Sequence, residues 1–307
     1  MTEMKQKIPI LAVATLAMAF ASCSNDDNNG MEAAKYITVN TSIGTLSRTA
    51  TADDGTQTFA DGDQISVYAW TGSANAVAAD GLVVNNAVNT LSISGETKTW
   101  TANPQMLWKD MTTAHYFLGV YPQKAITDFT EDAYALDMTK TQEENDLLVA
   151  VNAGNSGAGF TATNTSIPLQ FDHVMAKLIV NLSFRNQWGT TPTVTSVTAT
   201  AKTKATVNYL TKSVTPTADA ATVTVLPVVT ANTAYQSIMV PQDGEGMTIT
   251  IKIGDKDYTY TGTVELERGK YTIVNLNVGR DAITLADISI NGWGIGTTIN
   301  GGEAQEQ

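Results

Sequence analysis

Two histidines, a single cysteine and 30 carboxylates are the side chains that could do chemistry in this chain of 307 residues. His115 and His173 lie 58 positions apart, each beside a strand-like run (His115-Tyr116-Phe117-Leu118 and Phe171-Asp172-His173), and both read as structural. A Ser-His-Asp site can assemble from distant segments, but there is no G-x-S-x-G elbow to present a nucleophile. Ala60-Asp61-Gly62-Asp63 hints at a calcium loop without the ligand spacing or distal glutamate of an EF-hand, so a turn is the simpler reading. The glycine runs Gly154-Asn155-Ser156-Gly157-Ala158-Gly159 and Gly292-Trp293-Gly294-Ile295-Gly296 precede no helix that could cradle phosphate. Acid pairs such as Asp26-Asp27, Asp53-Asp54 and Glu143-Glu144 sit in polar stretches where solvation is the default. The expectation is a protein that is not an enzyme and uses no metal or cofactor.

Cys23 is different, because it stands at a junction. Lys5 and Lys7 precede an apolar run from Ile8 to Ala21, and Ala21-Ser22 leads directly into the cysteine. The run has 14 residues, short of the roughly 20 that span a bilayer, and it matches the apolar core of a secretory signal. Two small residues before a cysteine resemble a lipobox, in which cleavage between Ser22 and Cys23 leaves a thiol that carries acyl chains such as palmitate; the alternative is an ordinary signal peptide with an incidental cysteine. Several chains, at about 0.8 kcal/mol per buried methylene, would hold the protein at outer-membrane lipid. Residues 1–22 are thus expected to be a lipoprotein signal peptide and residues 23–34, with Ser24 to Gly30 polar and acidic, a flexible tether. Acidic residues just after the cysteine resemble the signal that sends lipoproteins to the outer face of the outer membrane.

Removing residues 1–22 takes away Lys5, Lys7 and Glu3, leaving 285 residues with 16 basic and 29 acidic side chains, a formal charge of −13. Such a surface excludes nucleic acid as a partner. With no second cysteine, an exported body must be held by packed cores. Short alternating runs supply them: Tyr36 to Asn40, Gln64 to Trp70, Leu178 to Phe184, Met247 to Ile253 and Tyr271 to Val278. Turn dipeptides at Asp54-Gly55, Asp61-Gly62, Asp243-Gly244 and Arg268-Gly269 bracket them. Thr141-Gln142-Glu143-Glu144 reads as a capping box worth at most one helical turn, and Asp146 to Val151 after it reads equally as a strand. The Gly, Asn, Ser and Thr-rich stretch from Asn152 to Ser166 is the most linker-like interior segment. The fold expected is all-β, with a sandwich over residues 35–166 and a second over residues 167–307.

The order of motifs resembles the fimbrillin family, lipoprotein subunits of type V pili in Gram-negative anaerobes. It runs from the lipobox through a short strand with an arginine after it to Phe59-Ala60-Asp61-Gly62-Asp63-Gln64-Ile65-Ser66-Val67-Tyr68. Trp108, Tyr121-Pro122, Asp146-Leu147-Leu148, Phe171 to Leu178 and Asn291-Gly292-Trp293-Gly294 follow. The resemblance implies two tandem transthyretin-like β-sandwich domains, export to the cell surface and fimbrium, and adhesion. It also implies proteolytic removal of the first strand, so that a donor strand from another subunit, or a second copy, can fill the groove.

Mapped onto this chain, the removable strand runs from Tyr36 to Ile43, with Ile37, Val39 and Ile43 on one face. Arg48, the one basic residue between Tyr36 and Thr97, is then a site for a trypsin-like protease, or else a solubilising loop residue. Ile283, Leu285, Ile288 and Ile290 suggest a donor strand, or equally the last strands of the second sandwich. If about four apolar side chains insert, burial supplies on the order of 6 to 12 kcal/mol before ordering costs. Fourteen residues follow Trp293 in a polar tail, an expectation of little C-terminal extension, and stalk, tip and accessory positions all stay open. The competing reading is a monomeric surface lipoprotein that binds glycan or host protein through its loops.

Overall fold

The computed structural model describes residues 36–44, 58–217, 219–228 and 233–292. Ser22, Cys23, Arg48 and Trp293 lie outside them. In chain order the first strands are β1 (Val39–Ile43), β2 (Gln64–Thr71), β3 (Leu82–Ser94), β4 (Thr97–Asn103), β5 (His115–Tyr121) and β6 (Asp132–Ala135). A one-turn helix, α1 (Gln142–Asn145), precedes β7 (Leu148–Asn152) and β8 (Ile167–His173). There follow β9 (Ala176–Phe184), β10 (Val194–Lys202), β11 (Lys204–Asn208), β12 (Ser213–Pro216), β13 (Ala220–Pro227) and β14 (Ala234–Met239). The last are β15 (Met247–Ile253), β16 (Lys256–Gly262), β17 (Lys270–Val278) and β18 (Ile283–Gly292).

The fold is all-β, as expected. One sheet has seven strands in the order β1-β8-β7-β5-β2-β3-β4, and a second has eight in the order β16-β15-β10-β13-β14-β9-β17-β18. Each encloses its own core. Alternation does this simply in β9, where Ala176, Leu178, Val180 and Leu182 point into the second core while Lys177, Ile179 and Asn181 do not. β2 is buried on both faces. Ile65, Val67 and Ala69 enter the first core, whereas Tyr68 and Trp70 face a third cluster that also holds Val207, Tyr209 and Ile238 from the C-terminal half.

That third cluster lies under a small sheet of order β12-β11-β6, in which β6 of the N-terminal half pairs with β11 of the C-terminal half. Its polar rim is tied across the same line. The Tyr209 hydroxyl donates to Asp132 Oδ2 at 2.7 Å, and Lys124 pairs with that carboxylate. Tyr68 donates to the Lys124 carbonyl and accepts the Ile126 amide.

The capping box is present: the Thr141 hydroxyl accepts the Glu144 amide and the Glu144 carboxylate accepts the Thr141 amide, for one turn of helix. After it the chain is strand, β7. The glycine-rich stretch after β7 loops out, pairs Phe160 with His115 through two backbone bonds of 2.8 Å, and returns as β8 beside β7. The first large sheet thus extends through β8, and the chain passes to the second large sheet between His173 and Ala176.

Two close contacts set the tolerance of this frame. A Cβ on Gly119 of β5 would come within 2.6 Å of the Phe171 ring, which is itself held edge-on by Phe59 at 5.3 Å. At the crossover, the buried His173 Nδ1 and Asp146 Oδ2 are 2.8 Å apart. Gly119→Ala is expected to lose about 1–3 kcal/mol by overpacking, read as a lowered urea midpoint at unchanged slope. Asp146→Ala is expected to lose about 3–5 kcal/mol by breaking a buried pair, and an unchanged midpoint would show that the crossover needs no such tie.

Candidate functional site

β1 is the edge of the first sheet, and its residues arise from a simple pattern. Ile37 and Val39 are buried, Thr41 and Ile43 are half-buried, and the intervening Thr38, Asn40 and Ser42 are exposed. Ile37, Val39 and Ile43 thus reach the first core together, alongside Ile167, Leu169 and Phe171 of β8. The strand runs parallel to β8 in register from Val39 opposite Ile167 to Ile43 opposite Phe171. The ladder is closed at both ends by backbone bonds, Ile167 N to Thr38 O at 2.8 Å and Gly44 N to Phe171 O at 2.7 Å.

The other side of β1 is held differently. The sheet curls until β4 approaches, and the Trp100 indole donates to the Thr41 hydroxyl at 2.9 Å. At the leading end, Ile37 N donates to Met106 O at 3.0 Å and Tyr36 bridges Leu107. Among the described residues no continuous ladder runs along this side. The strand is therefore fixed by one full ladder, the Trp100 bond, one clamp and the burial of Ile37 and Val39, with Ile43 half-buried.

The clamp is the loop between β4 and β5, and His115 organises it. The imidazole Nε2 accepts the Lys109 amide at 3.1 Å, and Nδ1 lies 2.9 Å from the Thr113 carbonyl, to which it must donate. Asp110 closes the turn by accepting from the amides and hydroxyls of Thr112 and Thr113. Those bonds, the Thr113 hydroxyl first, hold its carboxyl well below the usual range. Trp108 stands edge-on to His115 at 5.0 Å and to Phe117 at 5.8 Å, and Met106 fills the core next to Asn89. Burial pushes the His115 ring below its ordinary value, against the pull of the Thr113 and Phe160 backbone bonds and of Asp110. Sequence reasoning missed this clamp; its signal was Asp110 followed at two and three positions by threonines, an Asx-type turn.

The remaining candidates are placed apart from one another. His173 serves the crossover, 58 positions from His115, and each ring is committed to a buried structural bond. Asp61 accepts the Ile93 amide and Asp63 the Ala60 amide, each at 2.7 Å, so both carboxylates work as turn locks. Tyr121 also reaches Asp63, at 3.4 Å, and burial beside that carboxylate pushes its hydroxyl up to about 12. Ile283, Leu285, Ile288 and Ile290 lie on β18, the edge of the second sheet, paired antiparallel with β17. All four are half-buried. Their uneven spacing is reconciled by a bulge at Ala286, which sets Leu285 opposite Leu276 and Asp287 opposite Asn275. A groove of about 510 Å³ opens beside Ile288 and Ile290, lined also by Thr263, Glu265, Glu267 and Lys270.

Known structures share this fold. A candidate cell adhesion protein from Bacteroides ovatus is 18% identical with a TM-score of 0.62, the alignment covering 83% of this chain and 97% of that one. A candidate cell adhesion protein from Bacteroides uniformis is 17% identical with a TM-score of 0.61, over 78% of this chain and 95% of that one. A fimbrial protein from Bacteroides vulgatus is 11% identical with a TM-score of 0.51, over 84% and 99%. No curated protein sequence matches the chain. The fimbrillin-like family model matches residues 47–293, most of the length and in line with the motif order, and the chain belongs to the fimbrillin-like family.

Proposed function

We propose that this protein is a subunit of a surface fimbrium that supports adhesion and assembles by strand exchange at the site of β1. The observation that carries the reading is the placement of β1, an edge strand with a single full ladder whose inward side chains complete the first core. Removing it would expose the β8 edge and an apolar slot over Ile167, Leu169 and Phe171, and an extended segment of another subunit would restore both. Ile37, Val39 and Ile43, at about 1.5–3 kcal/mol each, represent on the order of 5–9 kcal/mol of burial that a replacement must match. Family membership and the fimbrial and cell adhesion relatives support the same reading.

In this reading Ser22-Cys23 is the signal cleavage and acylation point, and the mature chain is carried to the outer membrane as a lipoprotein. A trypsin-like protease then cuts after Arg48, releasing the lipid anchor and β1 in one piece. The body that remains is two transthyretin-like sandwiches, one on each large sheet. β18, with Ile283, Leu285, Ile288 and Ile290, is the candidate donor, and it must leave β17 to act as one. Its partners in this reading are other subunits or a second copy, with a host or glycan ligand at the adhesive end.

Limited trypsin treatment of the unlipidated chain is expected to cut after Arg48 and yield SDS-resistant ladders, and Arg48→Ala is expected to give neither. A clipped chain that stays monomeric and binds glycan would favour the monomeric surface lipoprotein instead. Ser42 and Gln170 face each other on β1 and β8 and are exposed, within the reach of a disulfide between such strand neighbours. The oxidised S42C/Q170C variant is expected to be cut by trypsin yet to keep β1 and stay monomeric, with ladders returning on reduction. Ladders from the oxidised form would place the acceptor slot elsewhere.

A further inference from the structure

We propose that His115 is an acid-sensitive latch on the leading end of β1: a proton on its Nε2 removes the acceptor of the Lys109 amide and loosens the Met106–Lys109 segment that holds Ile37. The inference concerns how β1 is held and stands whether or not β1 is later exchanged.

The geometry permits one protonation state. Nε2 faces a backbone N–H at 3.1 Å and Nδ1 faces a carbonyl at 2.9 Å, so the ring must be neutral with its proton on Nδ1. A second proton would set two donors against each other in a site where the imidazole is wholly buried, leaving the Lys109 amide without its bond. The displaced piece is short and leads directly to β1. Lys109 is three residues from Met106, whose carbonyl accepts Ile37 N, and two from Leu107, which bridges Tyr36. Trp108, between them, is buried and packs edge-on against the same imidazole and against Phe117.

The charged groups around the ring are Asp110, which favours the imidazolium, and Lys109, which opposes it. From the loop packed alongside, Phe160 contributes backbone bonds and no charge, and Trp108 and Phe117 contribute aromatic rings. Asp110 is already engaged by Thr112 and Thr113, so it is not free to swing in and pair with the imidazolium. Burial is the largest influence and disfavours charge. The sign follows. A histidine whose folded value is depressed adds stability above the ordinary histidine range, and that contribution is lost as pH falls below it.

The test is amide exchange on the intact, unlipidated chain at about pH 7.5 and about pH 5, values that bracket the histidine range, corrected for intrinsic rates and without protease. Protection at Lys109 and Ile37 is expected to fall together by up to about tenfold per pH unit below that range, while Val180 and Ile249 in the second core keep theirs. His115→Gln, which does not titrate and can still accept from Lys109, is expected to be insensitive to pH at both amides. An equal fall in His115→Gln, or no fall in the unmodified protein, overturns the latch. Should the variant not fold, NMR of the unmodified protein decides. The His115 ring and the Ile37 amide must then change with one shared midpoint, and a ring that titrates while Ile37 stays protected overturns the proposal. Strand exchange is read separately, by ladders after trypsin, so either idea can fail alone.

Discussion

An exposed sheet edge carries backbone groups that must find partners, and in this protein β8 finds them in β1. The seven-stranded sheet, its core and its approach to closure rest on that pairing. Without β1, β8 would become the edge, and Leu169 and Phe171 would lose part of their cover. Phe171 is also the residue for which Gly119 gives up a side chain and against which Phe59 stacks. The pairing that looks most peripheral is thus continuous with the centre of the first core.

The C-terminal half does not simply follow the first. β2 turns Tyr68 and Trp70 to the face away from the first core, and the β11–β12 hairpin helps bury them, aided by β6 crossing into the small sheet. Asp146 and His173 then secure the chain where it leaves one large sheet for the other. Three cores in series tie the strand at one margin of the molecule to the sheets beyond it.

Local signals were easy to read because they depend on local rules. Met247–Ile253 alternates cleanly and is β15 to the residue, and the Thr141 capping box forms one turn. Ile37, Val39 and Ile43 share a face because a strand has a period of two. Long-range partners carried no such mark. Nothing in Ile167 to His173 announces a return to the earlier sheet across a loop rich in glycine, and nothing in Asp132 to Ala135 announces β11 as its neighbour. His115 looked like an ordinary strand-flanking histidine, since the groups that define its role are backbone atoms of Lys109 and Thr113, which no side-chain pattern reveals.

The parallel sense of β1 and β8 has a mechanical meaning. β8 continues at its C-terminal end, His173, into the rest of the body, while the chain enters β1 at its opposite end, Tyr36. A pull between the entering chain and the body therefore runs along the strand axes in opposite directions. All the rungs from Val39 to Ile43 share that load in shear, whereas peeling from Gly44 would break them singly. The strand is built to resist tension from its upstream side and to yield from its downstream side.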